Sequence, residues 1–598
     1  MIVIRSVSAA VLIGLLSVLV LSACWPNGGQ QAKAEHALSE LIAQSWQYRI
    51  QASPMSAVYM GQPETIGLDD LSELTVTAQQ LSYKLFLERA EAINAADLAD
   101  ERQVDLAILR YQLADLYHYY KFKRHFVPIM AESGFHNDVI RHLQHRRLTT
   151  EKLVDDYLNA LNDIPRYFDE QVGWLEKGLQ SGITQPQVVL TGFEHSISAY
   201  RVDDPADHVL FQPMLQLPTS MSGQQQEAVR KQALIAIEQL VMPAFDDLYQ
   251  FFVDRYIPNA RATLGVSYTD NGQAFYANRV RHFTTRDMTV DEVHQLGLNE
   301  VDRIRTEMQS VIEQVEFDGD FADFLQFLRS DPQFYATTPE ALLKQASYIA
   351  KRADAQLPKF FHHLPRTPYG VAPVPASIAP KYTTGRYVPP RSDTDSGTYW
   401  VNTHGLSKRP LYVLEALTLH EAVPGHHLQI ALNNEMTHLP PFRNYSYISA
   451  FGEGWGLYAE WLGLEMGFYQ TPYDNFGRLS YEMWRALRLV VDTGIHAKGW
   501  SRQQAIDFMA QNSALSLHNI TTEVDRYISW PGQALSYKVG EITIRQLRQK
   551  AEHQLGAAFD IREFHHQILR HGSVPLSVLE NQINRYIETT LAARESIQ

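Results

Sequence analysis

The chain reads His420-Glu421-Ala422-Val423-Pro424-Gly425-His426-His427 directly after an apolar helical run, and the proline at its centre forbids one continuous helix through this segment. Pro424 has no N–H to give to the carbonyl of His420, and its ring crowds the preceding turn. Gly425 then allows a backbone shape that other residues resist. The expected result is a helix carrying His420 and Glu421 at its end, a bulge at Pro424-Gly425, and a helix that resumes at His426. Leu411, Leu414 and Leu417 place one face of the incoming helix in the core.

A His-Glu pair on a helix with a further His nearby is a common way to hold a divalent metal while leaving one carboxylate as a base. The bulge would turn His426 into the position that an i+4 histidine normally holds. Strict helical geometry favours His427, seven residues after His420. Spacing leaves the two open. A third ligand is expected from Ser449-Ala450-Phe451-Gly452-Glu453-Gly454-Trp455-Gly456-Leu457-Tyr458-Ala459-Glu460, which offers two carboxylates on one helix face. Gly452 and Gly454 would let another helix approach Glu453, and Glu460 suits an outer group that accepts a ring N–H from a ligating His. The nitrogen and oxygen donor set favours Zn²⁺.

Elsewhere the sequence reads as a mainly α chain. Leu106, Leu109, Leu113 and Leu116 recur at helical steps, Thr289-Val290-Asp291-Glu292 is a capping box ahead of Val293, Leu296, Val301, Ile304 and Met308, and Ser501 to Gln504 is a second cap. A Pro- and Gly-rich stretch at 364–403 ends in Gly397-Thr398-Tyr399-Trp400-Val401-Asn402, a short strand by composition. Such a strand beside the motif helix is expected either to connect or to bind extended peptide at a sheet edge, with Tyr399 as a substrate contact. The domain reading is a leader at 1–23, a tether at 24–34, an N-terminal helical region at 35–270 forming one wall of a cleft, and a catalytic region at 271–598.

Hydrophobic residues make up 45% and charged residues 20%, so a packed body is expected. The net charge of −15 and the lack of a long basic run exclude nucleic acid as a natural partner. Arg5 followed by an apolar run from Val7 to Leu21 reads as a targeting segment. Leu21-Ser22-Ala23-Cys24 resembles a bacterial lipobox, which implies a lipid on Cys24, the single cysteine of the chain. By the same resemblance, Trp25 and Pro26 in place of an Asp imply the periplasmic face of the outer membrane.

The segments His420 to Gln429, Glu453 to Glu460, and Pro531-Gly532-Gln533-Ala534-Leu535-Ser536-Tyr537-Lys538-Val539-Gly540 are similar to signature blocks of the bacterial domain of unknown function 885 family. The resemblance runs from near residue 35 to the C-terminus. That family resembles gluzincin metallopeptidases, which implies a large helical zincin-like fold with a deep cleft and a small β-sheet next to the motif helix. It also implies that His426, the first His after Pro-Gly, is the ligand.

The expectation is therefore a lipid-anchored zinc metallopeptidase acting on short peptides in the cell envelope. His420, His426 and Glu453 would hold the metal, and Glu421 would act as base. Tyr537, or less directly His496, would stabilise the oxyanion. Arg485, Arg488 or Lys538 would hold a substrate carboxylate. The competing readings are a metal amidohydrolase acting on a non-peptide or cell-wall amide, and a non-catalytic lipoprotein with an inherited site.

Overall fold

The structure is a computed structural model that describes residues 29–595 apart from 377 and 391–393. The leader and Cys24 lie outside the described residues. The chain is mainly α with one small sheet, as its periodicity predicts. The expected tether is shorter than the reading gave. Helix α1 (Gln30–Ala52) already begins inside it, because Gln-Gln-Ala-Lys-Ala-Glu is composed of good helix formers and holds no Gly or Pro.

The first helices do not form a separate wall. The buried Leu38 and Leu41 of α1, Leu87 of α2 (Glu73–Ala92), and Leu106, Leu109 and Leu113 of α3 (Asp100–Lys121) share one core with Leu414, Trp455 and Val490. A second apolar cluster is built between Met55 and Tyr256, around the helix α4 (Glu151–Ser181). The apolar grouping therefore cuts across a division at residue 270.

Helix α5 (Val290–Gln314) starts at the predicted capping box. Thr289 Oγ1 accepts from the Glu292 N–H (3.2 Å), and Glu292 Oε2 accepts from the Thr289 N–H (2.8 Å). Such a cap stabilises a helix by about 1 kcal/mol. The predicted cap at Ser501 and Gln504 is formed in the same way. Val293, Val301, Ile304 and Met308 of α5 are buried, and a Cβ at Gly297 would lie 2.7 Å from Leu489 Cβ. The small residue lets α5 lie close along a later helix that carries part of the site.

The sheet has three strands, β1 (Tyr369–Pro373), β2 (Gly385–Val388) and β3 (Gly397–Val401), in the order β1-β3-β2. β3 pairs parallel with β1 and antiparallel with β2. The strand expected at 397–402 is therefore present, but it is central and both its edges are occupied. This corrects its reading as a peptide-binding edge. Tyr399 is fully buried, with its hydroxyl 3.4 Å from Thr418 Oγ1. It packs the sheet against the motif helix and is not placed to meet a substrate.

Candidate metal centre

Helix α6 (Leu414–Glu421) ends where the proline predicts, and α7 (His426–Asn434) begins at His426. Between them the chain leaves helical geometry at Ala422 and Gly425, and the Val423–Pro424 peptide is cis. A Cβ at position 425 would collide with the carbonyl oxygens of His420 and Leu419. Only glycine lets the chain turn back this tightly over the end of α6. The break is held from the far side by the fully buried Trp455, whose Nε1 donates to the Pro424 carbonyl (2.8 Å).

Trp455 belongs to α8 (Ser449–Leu462), the helix that carries Glu453 and Glu460. Its glycines are spacing devices. A Cβ at Gly456 would sit 2.7 Å from Cε1 of His420, and one at Gly454 would reach 2.5 Å from the Cα of Gly540. Gly454 therefore brings α11 (Ser536–Leu555) against α8, while Gly456 leaves room for the imidazole. Helix α9 (Pro472–Ala497), which α5 packs along, lies against α6 and α8, and α10 (Leu517–Ser529) packs on α9.

His420 Nε2 lies 3.7 Å from Glu453 Oε2, and His426 Nε2 lies 3.4 Å from the same oxygen. The three donor atoms all fall within 4.8 Å of one another. Tetrahedral Zn²⁺ with bonds of about 2.0–2.1 Å separates its ligand atoms by roughly 3.3 Å. Two of the edges thus already have the length that a metal requires, and the donor set fits a zinc-type ion. His420 Nδ1 is bonded to Glu460 Oε1 at 2.7 Å, which turns the Nε2 lone pair toward Glu453. His426 Nδ1 is buried without a partner, so the support is one-sided.

The electrostatics show what this cluster lacks. Burial opposes charge on His420, but the Glu453 and Glu460 carboxylates outweigh it and raise the imidazole to about 9. Burial likewise opposes charge on Glu453, yet His426 and His420 hold its carboxyl well below the ordinary range. Buried carboxylates here demand positive charge, which a proton or a metal cation can supply.

Glu421 is nine-tenths buried, and its Oε2 accepts the backbone N–H of Tyr387 in β2 at 2.7 Å. The hydroxyl of Tyr387 meets His427 Nδ1 at 3.0 Å. His427 also packs against the Tyr369 ring, and burial lowers it to about 4. It ties α7 to the sheet as a neutral imidazole, which removes it as an alternative ligand. The seven-residue spacing misleads because the break at 422–425 changes the rotation between the two helices.

The remaining expected residues separate sharply. Tyr537 is buried in the first turn of α11, with the Arg488 guanidinium 4.3 Å from its ring centre. It lies near enough to the Tyr447 hydroxyl to be coupled to it, as Glu453 and Glu421 are, so it borders the site. His496 does not. It is fully buried in α9, Nε2 bonded to the Tyr527 carbonyl (2.9 Å) and Nδ1 accepting from the Val266 N–H (3.3 Å), and burial lowers it to about 3. It is a core residue with both ring nitrogens used.

Lys538 is fully buried too, with Nζ on Glu482 (2.7 Å), Glu541 (2.8 Å) and Glu300 (3.0 Å). All three of its donors are taken, so it holds no substrate. Arg485 lies 3.5 Å from Glu460 Oε1 and donates to the Tyr481 carbonyl, which makes it a support for the outer carboxylate. Arg488 donates to Tyr527 and Glu523 while its Nη1 stays without a partner.

Three residues at the site carry no signal in the sequence. Tyr387 acts through its backbone and across a sheet edge, and Trp455 acts through a carbonyl that exists only once the helix breaks. Tyr447 lies in the loop before α8, and its hydroxyl donates to Glu453 Oε1 at 3.0 Å.

No helix among the described residues is long and apolar enough to cross a membrane. A search of curated proteins found no match. Solved structures do match. A protein from Colwellia psychrerythraea, described as a candidate lipoprotein, superposes with a TM-score of 0.82 at 26% identity, over 93% of this chain and 99% of that one. A candidate lipoprotein of unknown function from Shewanella oneidensis shares the fold at a TM-score of 0.70 and 17% identity, over 92% of this chain and 99% of that one. The family model "Bacterial protein of unknown function (DUF885)" matches residues 54–583. The chain belongs to that family.

Proposed function

We propose that the protein is a zinc-dependent metallopeptidase of zincin-like architecture that hydrolyses short peptides. The observation that carries this reading is the convergence of His420 Nε2, His426 Nε2 and Glu453 Oε2, with a second carboxylate, Glu421, next to His420 and held at one oxygen by the Tyr387 N–H. Those three residues would hold the ion, which when bound supplies a Lewis acid that brings the pKa of water toward about 7.

The chain's own residues account for the rest. Glu460 holds the His420 proton on Nδ1 and so keeps Nε2 free. Glu421 is clamped at Oε2 by the Tyr387 N–H, which leaves Oε1 to accept a proton from attacking water and pass it to the leaving nitrogen. The Tyr537 hydroxyl is the candidate donor to the carbonyl oxygen as charge develops there. Of the two edge strands, β2 borders Glu421, and an extended substrate would add to the sheet along it.

The Leu21-Ser22-Ala23-Cys24 motif and the lipoprotein description of the Colwellia protein support a lipid-anchored chain, and Trp25 and Pro26 in place of an Asp after the cysteine would direct it to the periplasmic face of the outer membrane. The test is mass-spectrometric profiling of a peptide library with the zinc-loaded wild type and Glu421→Gln, with muropeptides as a parallel arm. Peptide cleavage by the wild type alone supports the proposal. Cleavage of muropeptides only would favour a cell-wall amidase, and activity of Glu421→Gln equal to wild type would remove the base.

A further inference from the structure

Glu453 has two oxygens and the structure gives them different neighbours. Oε2 faces both imidazoles, while Oε1 accepts the hydroxyl of Tyr447 at 3.0 Å. The Tyr447 ring lies on the start of α8, where a Cβ at Gly452 would overlap it, so the glycine before Glu453 is the ring's seat. Tyr447 is nevertheless 50% exposed, whereas Glu460, the partner of His420, is 1% exposed. The cluster thus has one support inside the core and one on a residue whose ring reaches the surface.

A carboxylate that accepts an O–H on one oxygen is disposed to give a cation only the other. We propose that Tyr447 is a positioning residue that fixes Glu453 as a one-oxygen ligand and so keeps a coordination position open for water. This rests on the metal reading of the site. Without the hydroxyl, Oε1 is free to turn toward the ion, Glu453 binds through both oxygens, and the open position fills.

The experiment compares wild type, Tyr447→Phe and Gly452→Ala. Zn²⁺ affinity is read by competition with a chromophoric chelator, and coordination by visible absorption of the Co²⁺-loaded proteins. Tyr447→Phe keeps the ring on its glycine seat and removes one hydroxyl. It is expected to weaken Zn²⁺ binding about 10–100-fold, the usual effect of losing an outer hydrogen bond to a ligand. Its Co²⁺ bands are expected to weaken as coordination rises above four. Gly452→Ala displaces the ring and is expected to change both readouts in the same direction, with the hydroxyl still present. Zn²⁺ affinity within twofold of wild type and an unchanged Co²⁺ spectrum in Tyr447→Phe would overturn the proposal while leaving the metal centre intact. A wild type that binds neither ion would overturn the metal reading and this inference with it.

Discussion

Two buried charge clusters lie on neighbouring helices and solve the same problem in opposite ways. Around Lys538, cations and carboxylates close on one another: Lys538 on Glu482, Glu541 and Glu300, Arg478 on Glu482 at 2.8 Å, Arg545 on Glu541 at 3.0 Å, and Arg303 on Glu482. Around His420 the carboxylates of Glu421, Glu453 and Glu460 gather with one Arg ion pair among the described residues, Arg485 to Glu460 at 3.5 Å. Nε2 of His420 and of His426 stand 3.4–3.7 Å from Glu453 Oε2. The first cluster is filled by its own side chains. The second has donors that converge within 4.8 Å of one another and several carboxylates around them, which is what sets a candidate metal site apart from a structural ion cluster.

The comparison can be broken first at Glu421. Glu421→Gln keeps the shape and the hydrogen bond from Tyr387 but loses the base, and peptide hydrolysis should fall about 10²–10⁴-fold with bound Zn²⁺ retained. Paired turnover and metal assays check this.

Lys538→Met should affect stability and leave the metal ligands alone. It removes the buried cation that three carboxylates share and leaves them to the arginines at the cluster's rim, at a cost of about 3–5 kcal/mol in urea unfolding. An unfolding midpoint equal to wild type would show that the cluster does not need its lysine.

A buried carboxyl outside both clusters sharpens the contrast. Asp492 accepts the Tyr276 hydroxyl (2.6 Å) and the Gly532 N–H (3.1 Å), and makes no ion pair among the described residues. Burial pushes it up to about 7 against these hydrogen bonds. The folded protein therefore holds this proton between pH ~4, where the unfolded carboxyl titrates, and pH ~7. Its contribution to stability is full below that window and is lost as pH rises through it, by about 2–4 kcal/mol. Asp492→Asn should flatten the stability profile between pH 4 and 7, read by urea unfolding across that range.

The smallest expected effect is at the helix break. Trp455→Phe leaves the Pro424 carbonyl without its donor and a small gap beside Phe361, Tyr458 and His565, and should cost about 1–3 kcal/mol. Unchanged stability would mean that Pro424 and Gly425 hold the turn unaided.

Much of this was legible in the sequence, for local reasons. Pro424 and Gly425 announce the break, because a missing N–H and a missing side chain act on their immediate neighbours. Glu453 and Glu460 share a face because they are two helical turns apart, and the caps at Thr289 and Ser501 follow from short-range hydrogen bonding. What could not be read depends on distant segments meeting. A strand's composition does not say whether it is central or at an edge, so Tyr399 was expected at the substrate and lies beneath the helix. His496 and Lys538 looked available because their partners, Tyr527, Val266, Glu482 and Glu300, sit on other elements. Tyr387 was invisible for the same reason, and Tyr447, close to Glu453 in the chain, because composition does not set the path of the loop that leads into α8.

The central claim is that the break re-aims His426, and not His427, toward His420 and Glu453. Metal content of the purified proteins tests it most directly, measured by mass spectrometry after Zn²⁺ loading and removal of free ion. The account predicts one Zn²⁺ per chain in wild type and in His427→Ala, and none in His426→Ala. Zinc retained by His426→Ala and lost from His427→Ala, or no zinc in wild type, would contradict it.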